Sequence, residues 1–204
     1  RLLPWIRETL GVDLDARDRH INSYPTDIPA PVESKDFTEA LRQFLSDSQI
    51  DTDGENRLRH GHGHTQEEMY AIKHKRLGRI PDMVVYPENE EQVAFLIAAA
   101  KTHDAVLIPF GGGTNVTGAL RCRNNEKRVI ASVDMRRMNR ILWIDKENMM
   151  ACIEAGAVGR HIMRQLAEYG VSMGHEPDSV EFSTLGGWIA TGASGMKKNK
   201  YGNI

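Results

Sequence analysis

The 204-residue sequence is short of cysteine, of net charge and of long apolar runs, and each shortage removes a class of protein. Cys122 and Cys152 cannot staple a chain of this length, so a disulfide scaffold is excluded and a reducing compartment is expected. A formal net charge of −2 supplies no global field to draw in nucleic acid, which leaves only local basic patches to consider. The richest apolar stretch, Val93 to Ala100, is closed by Lys101, well short of the roughly eighteen residues that a membrane-spanning helix requires. With 40% hydrophobic residues and 18 glycines, the composition fits neither a disordered nor a collagen-like chain. What is left is a globular protein with one sizeable core, or one core plus a smaller attached unit. It starts at Arg1 rather than Met and ends at Ile204 without a tail-like segment, so it reads as a fragment that carries no targeting signal.

The chain changes texture near residue 76. In the N-terminal part, 1–76, Leu2, Leu3, Ile6 and Leu10 have helical spacing that Gly11 can end. Such a helix is too short and too poor in cations for a membrane-surface anchor and fits packing on its own protein better. Three prolines between Asn22 and Pro31 predict an extended strap. Phe37, Leu41 and Leu45 mark a second short helix, and Asp47 to Glu55 reads as polar loop. From 77 to 204 the pattern is regular. A strand at Met83 to Tyr86, a helix at Glu90 to His103 with Val93, Leu96, Ile97 and Ala100 on one face, and a strand at Ala105 to Ile108 form a crossover, whose strands should be parallel neighbours. Strands at Val129 to Val133, Arg140 to Ile144 and Met150 to Glu154 follow. A helix from Val158 to Tyr169 with Ile162, Leu166 and Tyr169 inward comes next, and then a short helix through Ile189 capped by Ser183 or Thr184. This is an α+β or α/β domain.

Pro109-Phe110-Gly111-Gly112-Gly113-Thr114-Asn115 directly follows a strand. Three consecutive glycines cost conformational entropy, and their usual reason is close approach of backbone to a ligand, with N–H groups aimed at anionic oxygens. A flexible turn is the competing reading of a bare triple glycine. The spacing matches neither the dinucleotide nor the Walker fingerprint. A second stretch favours the ligand reading. Asp178-Ser179-Val180-Glu181-Phe182-Ser183-Thr184, then Gly186-Gly187-Trp188, then Thr191-Gly192-Ala193-Ser194-Gly195, is dominated by small and hydroxyl-bearing residues that suit a phosphate-carrying ligand.

These segments, with Met196-Lys197-Lys198-Asn199, Tyr201 to Ile204, Arg79 to Asp82, Met138 to Trp143 and Glu154 to Gly156, resemble the alkylglycerone-phosphate synthase family. That family lies within the p-cresol methylhydroxylase/vanillyl-alcohol oxidase class of flavoproteins. The glycine loop fits the whole class, whereas Glu176 to Ser179 and the residues through Ile204 are specific to the synthases. The resemblance implies an α+β FAD-binding domain from residue 77, truncated on its C-terminal side, with two subdomains and non-covalent FAD between them. It places Pro109, Phe110, Gly111, Gly112, Gly113, Thr114 and Asn115 at the pyrophosphate, Asp178 to Thr184 along the cofactor, and Thr191, Gly192, Ala193 and Ser194 nearby. His175 is the nearest candidate for a covalent flavin link, which the family does not use. The implied reaction exchanges the acyl chain of acylglycerone phosphate for a long-chain fatty alcohol in peroxisomal ether-lipid synthesis. It further implies a homodimer and peripheral membrane association, with no nucleic acid partner and no catalytic residue inside this stretch. Asn115 stands where Ser is more usual, and Gly192 where Arg is expected, which removes a five-donor cation beside the flavin. The runner-up is an FAD-dependent oxidase or dehydrogenase of a 2-hydroxy acid in the same class, and a third reading is a non-catalytic binding module.

His60, His62 and His64 alternate, so on a strand their rings would share a face as in a zinc or copper site. No fourth ligand is near in sequence, and no metal is expected. Arg57, Arg59, Lys73, Lys75, Arg76 and Arg79, interspersed with Glu67 and Glu68, read as a solvated helix face. Neither cysteine has an acid–base partner in sequence, so nucleophilic catalysis is unsupported.

Overall fold

The computed structural model describes residues 2–13, 15, 17, 27–74 and 76–204. Residues 22–26 of the proline-rich strap lie outside them, and 27–31 run without regular structure.

Helix α1 (Leu2–Leu10) ends as its spacing requires, with Gly11 at φ +64° and its N–H donating to Arg7 O. Helix α2 (Lys35–Arg42) is capped by Ser34 and buries Phe37 and Leu41, with Leu45 buried in the following turn. The polar loop expected at 47–55 instead holds a 3-10 turn (Asp47–Gln49), strand β1 (Ile50–Asp51) and the Asp53 cap of α3 (Gly54–His60). Helix α4 (Gln66–Lys73) begins at a Thr65/Glu68 capping box.

Strand β2 (Met83–Val85), helix α5 (Glu90–Thr102) and strand β3 (Val106–Phe110) follow the crossover pattern, but the two strands are not neighbours. Strand β4 (Ile130–Asp134) lies between them and pairs with both in parallel, giving the order β1-β2-β4-β3 with β1 antiparallel at the edge. The reason lies in burial. All five β4 residues are buried, as suits a central parallel strand, whereas most of β3 is only half-buried. On α5, Leu96, Ala99 and Ala100 face the core. Ile97 is 59% exposed and borders an apolar hollow instead.

The first core joins Phe37, Leu41 and Leu45 to Met83, Val85, Leu96, Ala131 and Val133. The sheet and this core therefore both run across residue 76, where the sequence changes texture. Burying each large apolar side chain of α2 contributes about 1.5–3 kcal/mol, so α2 is an integral part of this core.

The second lobe is an antiparallel pair, β5 (Ile141–Asp145) and β6 (Met150–Ile153), packed with α6 (Gly159–Glu168) and α7 (Leu185–Thr191). Its core is Ala157, Ile162, Leu166 and Trp188, supported by Ile141, Ile153 and Leu185. Tyr169, expected inward, is exposed, and Lys146 lies over its ring. A short helix, α8 (Lys198–Tyr201), closes the described chain. Among the described residues no helix is long and apolar enough to cross a membrane.

Candidate functional site

The glycine loop leaves the end of β3 and meets the segment that precedes α7. Two of its glycines are required by that meeting. A Cβ at Gly112 would lie 2.0 Å from the carbonyl oxygen of Phe182, and one at Gly111 would lie 2.2 Å from the Thr184 hydroxyl. The close approach made by these two residues within the chain is to its own backbone and cap. Positive φ is confined to Gly113, at +69°.

Docking the loop on 182–184 forms a cleft of about 440 Å³. One wall is Pro109 and Gly111 to Asn115, the other Asp178, Ser179, Ser183 and Thr184, and Thr191 to Ser194 close the end. Among the described residues, the N–H groups of Gly112, Gly113 and Thr114 donate to no backbone carbonyl. Buried or half-buried N–H groups without partners are costly, so a row of three beside a cleft is a ready anion cradle.

Not every residue expected at the cofactor reaches the cleft. Phe110, Val180, Glu181 and Phe182 do not line it. Val180 packs on the second core, and Glu181 and Phe182 face a separate hollow on the other side of the loop, with Arg59, His62, His64 and Arg136. Two expected hydroxyl donors are already engaged. Ser183 Oγ accepts from Trp188 Nε1 at 2.8 Å and donates to Asp178 O, while Thr184 caps α7 by accepting from Gly187 N–H. Asn115 Oδ1 accepts from Ala119 N–H at 3.0 Å, which leaves its amide NH₂ as the available group. Ser179 sits at φ +54°, an uncommon conformation for serine, and its carbonyl accepts from both Phe182 and Ser183 N–H. Gly192 is the left-handed cap of α7 at φ +56°, and a Cβ there would meet no atom within 4 Å.

The far rim is tied down by Lys197, whose ammonium is 2.6 Å from Glu176 and is held above the ordinary lysine range by that carboxylate. His175 is buried with neither ring nitrogen paired, and it does not line the cleft.

The histidine alternation is not a strand. His60 ends α3 and points inward, while His62 and His64 follow in the loop before α4. Among the described residues no three His, Cys, Asp or Glu side chains form a group able to hold a metal ion. Arg57 is not solvated either, being 2% exposed and donating to Pro81 O and Pro29 O. Burial pushes the Cys122 thiol up to about 11. The run read as a helix face falls in part on α3 and α4, whose bounds hydrophobic period does not fix because both are short and polar; the Thr65-x-x-Glu68 spacing is the usable signal for the start of α4.

A model of the FAD binding domain matches residues 81–204, which takes in both walls of the cleft. The chain belongs to this FAD-binding family. FAD is accordingly its cofactor, and the unpaired N–H row fits the pyrophosphate of such a group. Within the family, the chain is 46% identical to alkyldihydroxyacetonephosphate synthase of Caenorhabditis elegans over 98% of its length, which spans 33% of that relative. It superposes on a solved structure of alkyldihydroxyacetonephosphate synthase with a TM-score of 0.86 at 37% identity, covering 98% of this chain and 38% of that one. p-Cresol methylhydroxylase shares the fold at a TM-score of 0.54 and 20% identity, over 69% of this chain and 27% of its own. The resemblance to the synthases and the fold class read from the sequence both hold.

Proposed function

We propose that the intact protein is an FAD-dependent alkylglycerone-phosphate synthase, a transferase that exchanges the acyl chain of acylglycerone phosphate for a long-chain fatty alcohol in ether-lipid synthesis. The observation that carries the reading is the 46% identity to a synthase across nearly the whole chain, cleft walls included. The chain spans about a third of that relative's length, so substrate binding and acid–base chemistry are assigned to residues outside these 204. FAD, held without a covalent bond, supplies the group-carrying chemistry with no net oxidation or reduction.

The residues of this chain bind and orient the cofactor. The N–H groups of Gly112, Gly113 and Thr114, with Asn115 Nδ2 beside them, would hold its pyrophosphate. Asp178, Ser179 and Thr191 to Ser194 would line the rest of its site. Thr184 and Ser183 act indirectly by fixing the cleft wall. A peroxisomal location, a homodimer and peripheral membrane association belong to the same reading.

The test supplies the intact protein with acylglycerone phosphate and a labelled long-chain alcohol. Labelled alkylglycerone phosphate together with released fatty acid is the expected product. Oxidation of a 2-hydroxy acid to the 2-oxo acid by an added electron acceptor, with no ether product, would replace this reading by the runner-up. The 204 residues alone should give no ether product above background.

A further inference from the structure

The matched family span starts at residue 81, yet the glycine loop rests on residues that precede it. His60 is 1% exposed, and its ring lies 4.2 Å, centroid to centroid, from that of Phe110. Its Nε2 is 2.8 Å from Asp134 Oδ2 and its Nδ1 is 2.7 Å from Asn56 O. Both ring nitrogens are thus engaged, one by a carboxylate and one by a backbone carbonyl, which fixes the plane of the ring. Asp134 is fully buried at the end of β4, opposite Phe110 in the ladder, and also accepts from Arg136 Nε and Arg136 N–H. The Phe110 ring in turn abuts Gly113, where a Cβ would come within 3.0 Å of it. His60, Phe110 and Gly113 therefore form one contiguous stack ending at the cofactor loop.

The other end of the loop is held from the same segment. His64 N–H donates to Asn115 O at 2.8 Å, and a Cβ on Gly63 would lie 2.5 Å from that oxygen. Glu68 fixes this turn by accepting from Gly63 N–H, Thr65 N–H and the Thr65 hydroxyl. The loop is clamped at both ends, and the residues with unpaired N–H groups, Gly112 to Thr114, lie between the clamps and line the cleft.

We propose that His60, held by Asp134, is a positioning residue for the FAD loop: it sets the height of Phe110 and, through it, of the Gly113 N–H. This rests on reading the cleft as the FAD site. Neither His60 nor Phe110 lines that cleft, so any effect of His60 on FAD must pass through the loop. A buried histidine serving only the core would change stability and leave cofactor affinity alone.

The experiment measures the FAD dissociation constant by flavin fluorescence titration, and the melting temperature, on variants of the intact protein. His60→Phe keeps a ring on Phe110 but loses both hydrogen bonds, and Asp134→Asn keeps the shape and loses the charge. Each should raise the constant about tenfold, and in a Phe110→Leu background each should add less than about twofold, the mark of coupled neighbours. Leu166→Ala, in the second core, should lower the melting temperature without moving the constant beyond about twofold. A constant within about twofold of the parent in either His60→Phe or Asp134→Asn, while Gly112→Ala weakens FAD binding about fivefold or more, overturns the positioning role and leaves the cleft intact. Full additivity with Phe110→Leu overturns it as well. Parent-like binding by Gly112→Ala would instead overturn the cleft itself. If His60→Phe does not fold, Asp134→Asn decides alone.

Discussion

Adding a single methyl group at Gly112 should separate the two walls of the cleft. The Cβ of an alanine there would lie 2.0 Å from Phe182 O, 2.7 Å from its carbonyl carbon and 3.1 Å from Ser183 Cα, all of them backbone atoms that no rotamer change can move. Ordinary contact requires an opening of about 1.4 Å between the loop and the 182–184 segment. Overpacking of this kind costs about 1–3 kcal/mol. If the open form is the one that folds, FAD must restore the closed cleft on binding, and that cost reappears as a rise of about five- to 150-fold in its dissociation constant. The control is Gly118→Ala, at φ +71° with nothing within 4 Å of the added Cβ, where the change costs about 1 kcal/mol of backbone conformation and no displacement. Flavin fluorescence titration of both variants gives the comparison. Equal FAD affinity in Gly112→Ala and Gly118→Ala would refute the reasoning, because the loop would then be a turn whose seat on Phe182 is immaterial.

Gly192→Arg should tighten FAD binding while lowering the melting temperature, since it returns a cation to the end of the cleft but forces φ +56° on a residue with a Cβ, at about 1 kcal/mol; unchanged affinity would remove this position from the cofactor's surroundings. Cys122, with burial pushing its thiol up to about 11, should resist iodoacetamide at pH 8 in the native state and react after unfolding, as read by mass spectrometry; prompt native labelling would contradict its burial. Glu154 is held below the ordinary glutamate value of 4.5 by hydrogen bonds from Arg140, against the opposing effect of burial. Its contribution is therefore present above that value and lost as pH falls through the folded-state value, so Glu154→Gln should flatten the acid limb of a melting-temperature profile, and a limb of unchanged slope would count against the pair.

The elements that periodicity could find were those that bury a stripe or carry a cap. Helix α5, strand β2 and the Thr184-capped α7 stand close to where spacing put them. Two kinds of feature escaped. Helices α3 and α4 bury little apolar surface, so hydrophobic period is silent there and only the capping residues Asp53 and Thr65 speak. Pairing order escaped too, because sequence adjacency favours β2 beside β3, while the strand buried on both faces, β4, takes the centre. At the cleft, three glycines announced a close approach but not its partner. Ligand and Phe182 carbonyl impose the same demand on Gly112, and only the fold shows that the carbonyl makes it. His60 was legible as a histidine and not as a support, since Asp134 lies 74 residues away.

The central place of β4 also dictates an order of events during synthesis. Strands β2 and β3, and the helix α2 whose Phe37 and Leu41 join the same core, are all synthesised before residues 130–134. Until then β2 and β3 have no strand between them, and Phe37, Leu41, Val85 and Leu96 have no Ala131 or Val133 to close against. Parallel pairings across long sequence separations form slowly, and the nascent chain carries open strand edges meanwhile. A nascent chain stalled before β4 should therefore remain protease-sensitive throughout its first lobe, and gain protection in one step when residues 130–134 clear the exit tunnel.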